Sequence, residues 1–161
     1  MNQLWMVVLS VLLMASCNQN QSQSINESQN KDVMEKLEKE KIENLLGAYK
    51  KSLNTSDAKL AQSLYAKDGI FMPSGAPSAI GMENILKSYE FIFSQIQLNI
   101  EFYIDEILVE GDFAFATTSS KGTTLIRATN ETIPEENREL FVFEKADGNW
   151  KIARYMFNKT K

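Results

Sequence analysis

Three tyrosines in the first half of the folded region are the residues best suited to chemistry. Tyr49, Tyr65 and Tyr89 lie on or beside the inward faces of predicted helices. A buried phenol needs a hydrogen-bond partner. The three hydroxyls therefore either bond to one another within a solid core, or supply the few polar groups of a largely apolar pocket. Both interpretations stay open from the residues alone.

Carboxylates and metal ligands give a weaker signal. Glu139 begins a predicted strand, where a solvated side chain is the commoner outcome and a functional role is the alternative. The chain has no histidine and one cysteine, so the commonest general base is missing and a cysteine-based zinc site is not possible. We find no phosphate loop and no metal-binding motif. We therefore expect no metal and no cofactor.

Two predicted strands carry further candidates. Phe115 and Thr117 share one strand face, which either walls a cavity or runs out to solvent. In the closing strand, Tyr155 and Phe157 share a face with Ala153, and the opposite face is also apolar. If one face lines a pocket, the other needs cover, because a large exposed apolar patch usually marks an interface. A homodimer through the second face, which carries Trp150, Ile152, Arg154 and Met156, would provide that cover.

The elements that must position these residues follow from hydrophobic periodicity. Helices are predicted at 33–53, at 57–65 and after Gly81; strands at 70–72, 96–109, 112–120, 122–129, 138–145 and 149–158. Turns are predicted at Asp68-Gly69, Gly111-Asp112, Lys121-Gly122 and 146–149. Three helices followed by antiparallel strands predict an α+β domain, with the helices packed on one face of the sheet. Strong curvature would leave a pocket between them.

The first 32 residues predict targeting rather than fold. A mostly apolar run from Leu4 to Ala15 fits a secretory signal, and residues 13–17 resemble a bacterial lipobox. The resemblance implies cleavage before Cys17 and lipid modification of its thiol; an uncleaved anchor or an ordinary signal peptide are the alternatives. We divide the chain into a signal peptide (1–16), a lipidated cysteine with a flexible Asn/Gln/Ser-rich linker (17–32) and a folded domain (33–161). The expected location is the bacterial cell envelope, on the periplasmic side or the cell surface. The net charge of −4, with no basic cluster, argues against a nucleic-acid partner.

Several fragments in order resemble one family. They are Ala48-Tyr49, 53–57, 63–68, Pro73, Gly81 with Tyr89, 111–116 and 147–154. Together they are similar to the nuclear-transport-factor-2-like superfamily, which includes SnoaL-like polyketide cyclases, ketosteroid isomerase and scytalone dehydratase. The resemblance implies a cystatin-like fold: a cone-shaped, curved sheet wrapped on three helices, with an apolar cavity, usually in dimers.

The similarity to ketosteroid isomerase implies roles for single residues. Tyr49 takes the place of the tyrosine that donates a hydrogen bond to the substrate oxyanion, and Tyr65 and Tyr89 those of two supporting tyrosines. Glu139 takes the place of a carboxylic acid that is the second oxyanion donor. In ketosteroid isomerase such an acid can donate a hydrogen bond because an apolar site keeps it protonated. The position of the general base, just before Pro73, is Met72, which cannot accept a proton.

These observations lead to one expectation and two alternatives. We expect a lipid-anchored domain that binds a small apolar or aromatic ligand in an apolar cavity. One alternative is an isomerase, dehydratase or cyclase that uses a non-standard base. The other is a dimeric structural or interaction module whose cone is filled by its own side chains.

Overall fold

The computed structural model describes the backbone of residues 16–160 and the side chains of residues 29–160. Nearly all of the predicted signal peptide, and the side chain of Cys17, lie outside these described residues. The chain divides into two compact units, residues 1–37 and 38–161. All of the residues discussed as a site belong to the second unit. In residues 16–160, no helix combines the length and apolar character needed to cross a membrane.

Residues 16–160 contain three helices: α1 (Ser16–Asn54), α2 (Ala58–Ser63) and α3 (Gly81–Gln95). Helix α2 lies within the predicted range of 57–65 but ends at Ser63, and Tyr65 belongs to a strand rather than to the helix. Asp57 caps α2 by accepting a hydrogen bond from the Leu60 N–H at 2.9 Å. Within the described residues, helix α1 extends back to Ser16 rather than starting at residue 33, and so includes the segment predicted as a flexible linker. That segment lacks glycine and proline, and its Asn, Gln and Ser residues each cost a helix only about 0.5 kcal/mol relative to alanine.

In the described part of the chain, six strands form one sheet in the order β2-β1-β6-β5-β4-β3. They are β1 (Tyr65–Met72), β2 (Ala79–Ile80), β3 (Ile96–Glu110), β4 (Phe113–Ile126), β5 (Glu131–Ala146) and β6 (Asn149–Lys159). The α+β class with a curved sheet is confirmed. The sheet is mixed rather than antiparallel, because β1 pairs with β6 in parallel.

Two predicted turns lie inside strands. Lys121-Gly122 belongs to β4, which is one continuous strand. A Cβ atom at Gly122 would lie 2.1 Å from the carbonyl oxygen of Asn99, so glycine here allows β3 to come close rather than turning the chain. Asp68-Gly69 lies within β1, where the pairing register with β6 shifts. The turns at 111–112 and 147–148 are confirmed as links between β3 and β4 and between β5 and β6.

A register shift changes the inward face of the closing strand. Ile152 pairs with Phe143 and Arg154 pairs with Val142, so Ala153 is an extra residue. Trp150 and Ile152 are consequently buried together with Tyr155. The prediction that Trp150 and Ile152 face a partner subunit is therefore wrong, since the bulge switches the phase of the alternation.

Candidate functional site

Three tyrosines on three different elements meet in the interior. Tyr49 comes from α1, Tyr65 from β1 and Tyr89 from α3, and each is at most 2% exposed. The Tyr89 hydroxyl lies 2.5 Å from that of Tyr49 and 2.8 Å from that of Tyr65. Burial raises the pKa of all three phenols well above the ordinary value. Tyr49 also forms a side-chain hydrogen bond with Tyr155, so the phenols make one buried, hydrogen-bonded group.

Aromatic rings fill the space around Tyr49. The ring of Tyr155 lies edge-on to it at 5.2 Å and that of Phe141 at 5.5 Å, and Phe102 stacks on it at 6.0 Å. We call the set Tyr49, Tyr65, Phe71, Tyr89, Phe141 and Tyr155 the aromatic cluster. The rings therefore pack closely around Tyr49 at this end of the interior.

The sheet face that bears Phe141 and Tyr155, here called the inner face, becomes polar along β4 and β5. The pairs Thr118–Glu139 and Ser120–Asn137 lie opposite each other across the two strands, and Gly122 faces Glu135. We call the buried polar side chains on this stretch the polar row: Thr118, Ser120, Thr124, Glu135, Asn137 and Glu139. Each member is at most 7% exposed. Burying polar groups is costly unless they are hydrogen-bonded, and these are bonded mainly to one another.

Glu139 lies where the polar row joins the aromatic cluster. The hydroxyls of Thr118 and Ser120 both donate to its carboxylate. Burial raises the pKa of Glu139 to about 6, and these two hydroxyls oppose the rise. At neutral pH the group is therefore mainly ionised. Burial is the main cause that raises the pKa of Tyr155, and the negative charge of Glu139 is the second. The two side chains therefore lie close together.

The far end of the polar row contains a second carboxylate. Glu135 accepts hydrogen bonds from Thr124 at 2.8 Å, from Lys159 at 3.1 Å and from Asn137 at 3.0 Å. The Asn137 amide also donates to Ser120 at 3.2 Å. Its carbonyl oxygen Oδ1 is the one buried side-chain polar atom without a partner among residues 29–160.

The structure brings some of the predicted site residues together and separates others. Tyr49, Tyr65, Tyr89, Tyr155 and Glu139 share the interior, as expected, and Phe157 is half-buried beside them, pairing with Glu139 across the strands.

Phe115, Thr117 and Met72 lie on the opposite sheet face. Phe115 and Thr117 alternate with the buried residues Ala116 and Thr118, so their assignment to a cavity wall is wrong by one residue. Met72 pairs with Met156, which is 39% exposed, whereas the adjacent Phe71 stacks on Tyr155.

A further buried carboxylate lies in the charged run of α1 at residues 35–41. Glu38 is 8% exposed and accepts from the indole N–H of Trp150 at 2.7 Å, with Lys145 at 3.0 Å and Lys41 at 2.9 Å. The hydrogen bond from Lys41 is the largest of the causes that lower its pKa to about 2. This cluster joins α1 to the β5–β6 hairpin and is saturated with partners, so its role is structural.

Sequence reasoning missed the polar row because serine, threonine and asparagine are common on solvated strands. One available signal was a small residue at every second position along this strand: Ala114, Ala116, Thr118 and Ser120. Small side chains at period two are typical of a strand that faces packed helices or a narrow interior. Among the described residues, no three His, Cys, Asp or Glu side chains form a group able to hold a metal ion.

The fold defines the class of this protein: helices wrapped by a curved mixed sheet form the nuclear-transport-factor-2-like fold. SnoaL-like domains match residues 42–157, and the chain belongs to that family. No match is found among curated proteins.

Solved structures agree with this assignment. A ketosteroid isomerase-like protein from Erwinia carotovora atroseptica is 30% identical, with a TM-score of 0.72, over 74% of this chain and 94% of its own. A nuclear transport factor 2-like superfamily protein from Salmonella enterica is 20% identical over 76% and 91% of the two chains, with a TM-score of 0.68. A putative dehydratase of the same fold from Streptomyces avermitilis is 18% identical over 76% and 95%, with a TM-score of 0.64. The last two likenesses concern the fold alone.

Proposed function

We propose that this domain binds a small, largely apolar or aromatic ligand against the inner face of the sheet, at the edge of the aromatic cluster. The observation that carries the proposal is the buried polar row directly beside that cluster. Six buried polar side chains weaken a core that apolar residues would stabilise better, and such an arrangement is typical of sites that orient a ligand. Glu139, where the polar row joins the aromatic cluster, is the first group that would meet a ligand oxygen, and the tyrosine hydroxyls lie behind it.

A thermal-shift screen of steroid-like, polyketide-like and aromatic compounds tests this proposal. Naphthalene and 2-naphthol form a matched pair within the screen, because they differ only in one hydroxyl. We expect 2-naphthol to raise the melting temperature more than naphthalene does, since its oxygen can bond to Glu139 or to the tyrosine chain.

Variants identify the groups responsible. Glu139→Gln and Tyr49→Phe should each reduce the preference for 2-naphthol. Tyr103→Phe is the matched control, because Tyr103 is 52% exposed and lies away from the inner face. If no compound stabilises the protein, or if Tyr49→Phe and Glu139→Gln leave every response unchanged, the binding proposal fails.

Glu139 also favours a second candidate, an enzyme that moves a proton. A carboxylate with a pKa of about 6 in a buried site is suited to accept a proton near neutral pH. The base position predicted from the family resemblance is Met72, so Glu139 would act as the non-standard base rather than as a protonated donor. The reaction class is isomerisation or dehydration by removal of a proton next to a carbonyl group.

Deuterium exchange tests proton removal without knowledge of the substrate. The assay follows exchange of the protons next to the carbonyl of 2-tetralone in D₂O by NMR. The enzyme hypothesis predicts faster exchange with the wild-type protein, a rate that rises as pH passes through about 6, and loss of this effect in Glu139→Gln. A rate equal to that of buffer alone would leave only the binding function.

The outer face of the sheet supports a proposal of self-association. Exposed apolar side chains lie on this face, and Leu140 pairs directly with Met156; they are Tyr103, Leu108, Phe113, Leu140 and Met156. Exposed apolar surface on one face of a sheet is typical of an interface. We propose a homodimer through this face. Sedimentation equilibrium should give twice the monomer mass for the wild-type protein and the monomer mass for Leu140→Glu. A monomeric wild-type protein at micromolar concentration would refute the dimer.

The lipid anchor at Cys17 and the location in the cell envelope are also proposals. They are supported by the apolar run and the lipobox-like residues 13–17. Mass spectrometry of the protein expressed in a bacterium should find a diacylglyceryl group on Cys17 and none in Cys17→Ser. An unmodified cysteine in the full-length product would refute the anchor.

A further inference from the structure

The hydrogen bonds of the polar row have a definite direction. The hydroxyls of Thr118 and Ser120 donate to Glu139, and the hydroxyl of Thr124 donates to Glu135. Asn137 uses its amide nitrogen for both Ser120 and Glu135. Every side-chain donor of the row is therefore committed within it.

What remains free is an acceptor. Asn137 is only 6% exposed, and its Oδ1 atom is buried without a hydrogen-bond partner. Turning the amide over would place this oxygen against the Glu135 carboxylate, which offers only lone pairs, so the assignment of nitrogen and oxygen is fixed by its neighbours. An unmet buried acceptor is costly to the protein, and a ligand that donates a hydrogen bond would remove that cost.

We propose that Asn137 Oδ1 is a second binding point, which selects ligands with a hydrogen-bond donor, a hydroxyl or amine, at the end remote from the aromatic cluster. This inference rests on the proposed binding function and names the ligand class that the same site takes. The aromatic cluster offers ring surface and partnered phenols, whereas the Asn137 end offers an unpartnered acceptor, so the two ends differ in chemistry.

The separation of the two ends sets the length of the ligand. Tyr155 pairs with Phe141 and Lys159 pairs with Asn137, so the two points are four residues apart along β5. Four residues of an antiparallel strand span about 14 Å between backbone positions. An elongated, rigid, two-ended molecule fits this spacing better than a compact one.

Three biphenyls isolate the donor at the remote end. They are 4-phenylphenol, 4-hydroxy-4′-methoxybiphenyl and 4,4′-dihydroxybiphenyl, with dissociation constants measured by calorimetry on the full domain. The methoxy compound retains the second oxygen but lacks its proton. The diol can bind in either of two equivalent orientations, which by itself raises its apparent affinity. After correction for this statistical effect, we expect the diol to bind about five- to tenfold more tightly than the methoxy compound.

Asn137→Leu should abolish this preference, so that the diol and the methoxy compound bind with equal affinity. Asn158→Leu is the matched control, because Asn158 is exposed on the neighbouring strand, and it should keep the preference. Should Asn137→Leu fail to fold, the ratio of the diol to the methoxy compound in the wild-type protein still decides.

The outcomes separate the two proposals. Binding of 4-phenylphenol without a preference for the diol overturns the role of Asn137 and leaves the proposed binding function standing. Retention of the preference in Asn137→Leu overturns it as well. Failure of all three compounds to bind counts against the proposed function and removes this inference with it.

Discussion

Replacing Glu139 with glutamine should make the protein's stability less dependent on pH in a defined window. The ordinary pKa of 4.5 rises to about 6 in the folded state, chiefly through burial. Thr118 and Ser120 oppose the shift, and the charges of Asp105 and Glu135 add to it. Because the folded state holds this proton more tightly than the unfolded state, the carboxyl group favours folding less as pH rises from about 4.5 to above 6.

The size of the effect follows from the shift. A change from 4.5 to about 6 corresponds to about 2 kcal/mol of unfolding free energy, lost by the wild-type protein across this window. Glutamine cannot titrate, so the variant lacks this loss. Glu38 does not interfere, because its pKa is lowered to about 2 and its contribution is complete above pH 4.5.

Urea unfolding at a series of pH values from 4 to 8 measures the difference between the two proteins. The free energy of unfolding of Glu139→Gln minus that of wild type should increase by about 2 kcal/mol over the window. Thr118→Val removes a donor that lowers the pKa of Glu139, so in that background the increase should extend to higher pH. A difference that is flat, or that decreases with pH, would show that burial does not dominate at Glu139.

Three further predictions concern stability and are measured by the same unfolding assay. Tyr89→Phe removes the central hydroxyl of the tyrosine chain and should cost about 1–3 kcal/mol, whereas Tyr103→Phe, at an exposed position, should cost less than about 0.5; equal effects would contradict the chain. Gly122→Ala should destabilise the protein by about 3 kcal/mol or more, because its Cβ would collide with the backbone of β3. Gly47→Ala, with open space around it in α1, should stabilise the protein by up to about 1 kcal/mol, and a tolerated Gly122→Ala would contradict the close approach of β3. Trp150→Phe should cost about 1–3 kcal/mol through loss of the indole donor to a buried carboxylate, and a neutral effect would show that this bond adds nothing.

The fold was predictable from the sequence wherever one period held over many residues. Helix α3 follows from a regular pattern and begins at Gly81, where a helix was expected to start. Strands β3 and β6 each differ from the predicted bounds by one residue. The Glu139 position was predictable only through the family resemblance, because its own neighbourhood suggested the solvated start of a strand. In the structure it lies in the middle of β5, which begins at Glu131.

What could not be predicted depends on single-residue shifts and on partners distant in sequence. The bulge at Ala153 exchanges the two faces of β6, and no local pattern marks it. Gly122 has the composition of a turn but provides room for another strand. The burial of Glu38 depends on Trp150 and Lys145, which lie on a hairpin far along the chain.

The parallel pairing of β1 with β6 has a consequence for how the chain acquires its structure. The first strand in sequence lies beside the last, with Phe71 next to Tyr155, so β1 has no long neighbour until β6 is in place. Contacts between residues so distant in sequence form late and slow the overall reaction. During synthesis on the ribosome, the meander β3–β4–β5 can assemble first. The phenols of α1, β1 and α3 pack fully only after β6, which carries Tyr155, has been synthesised.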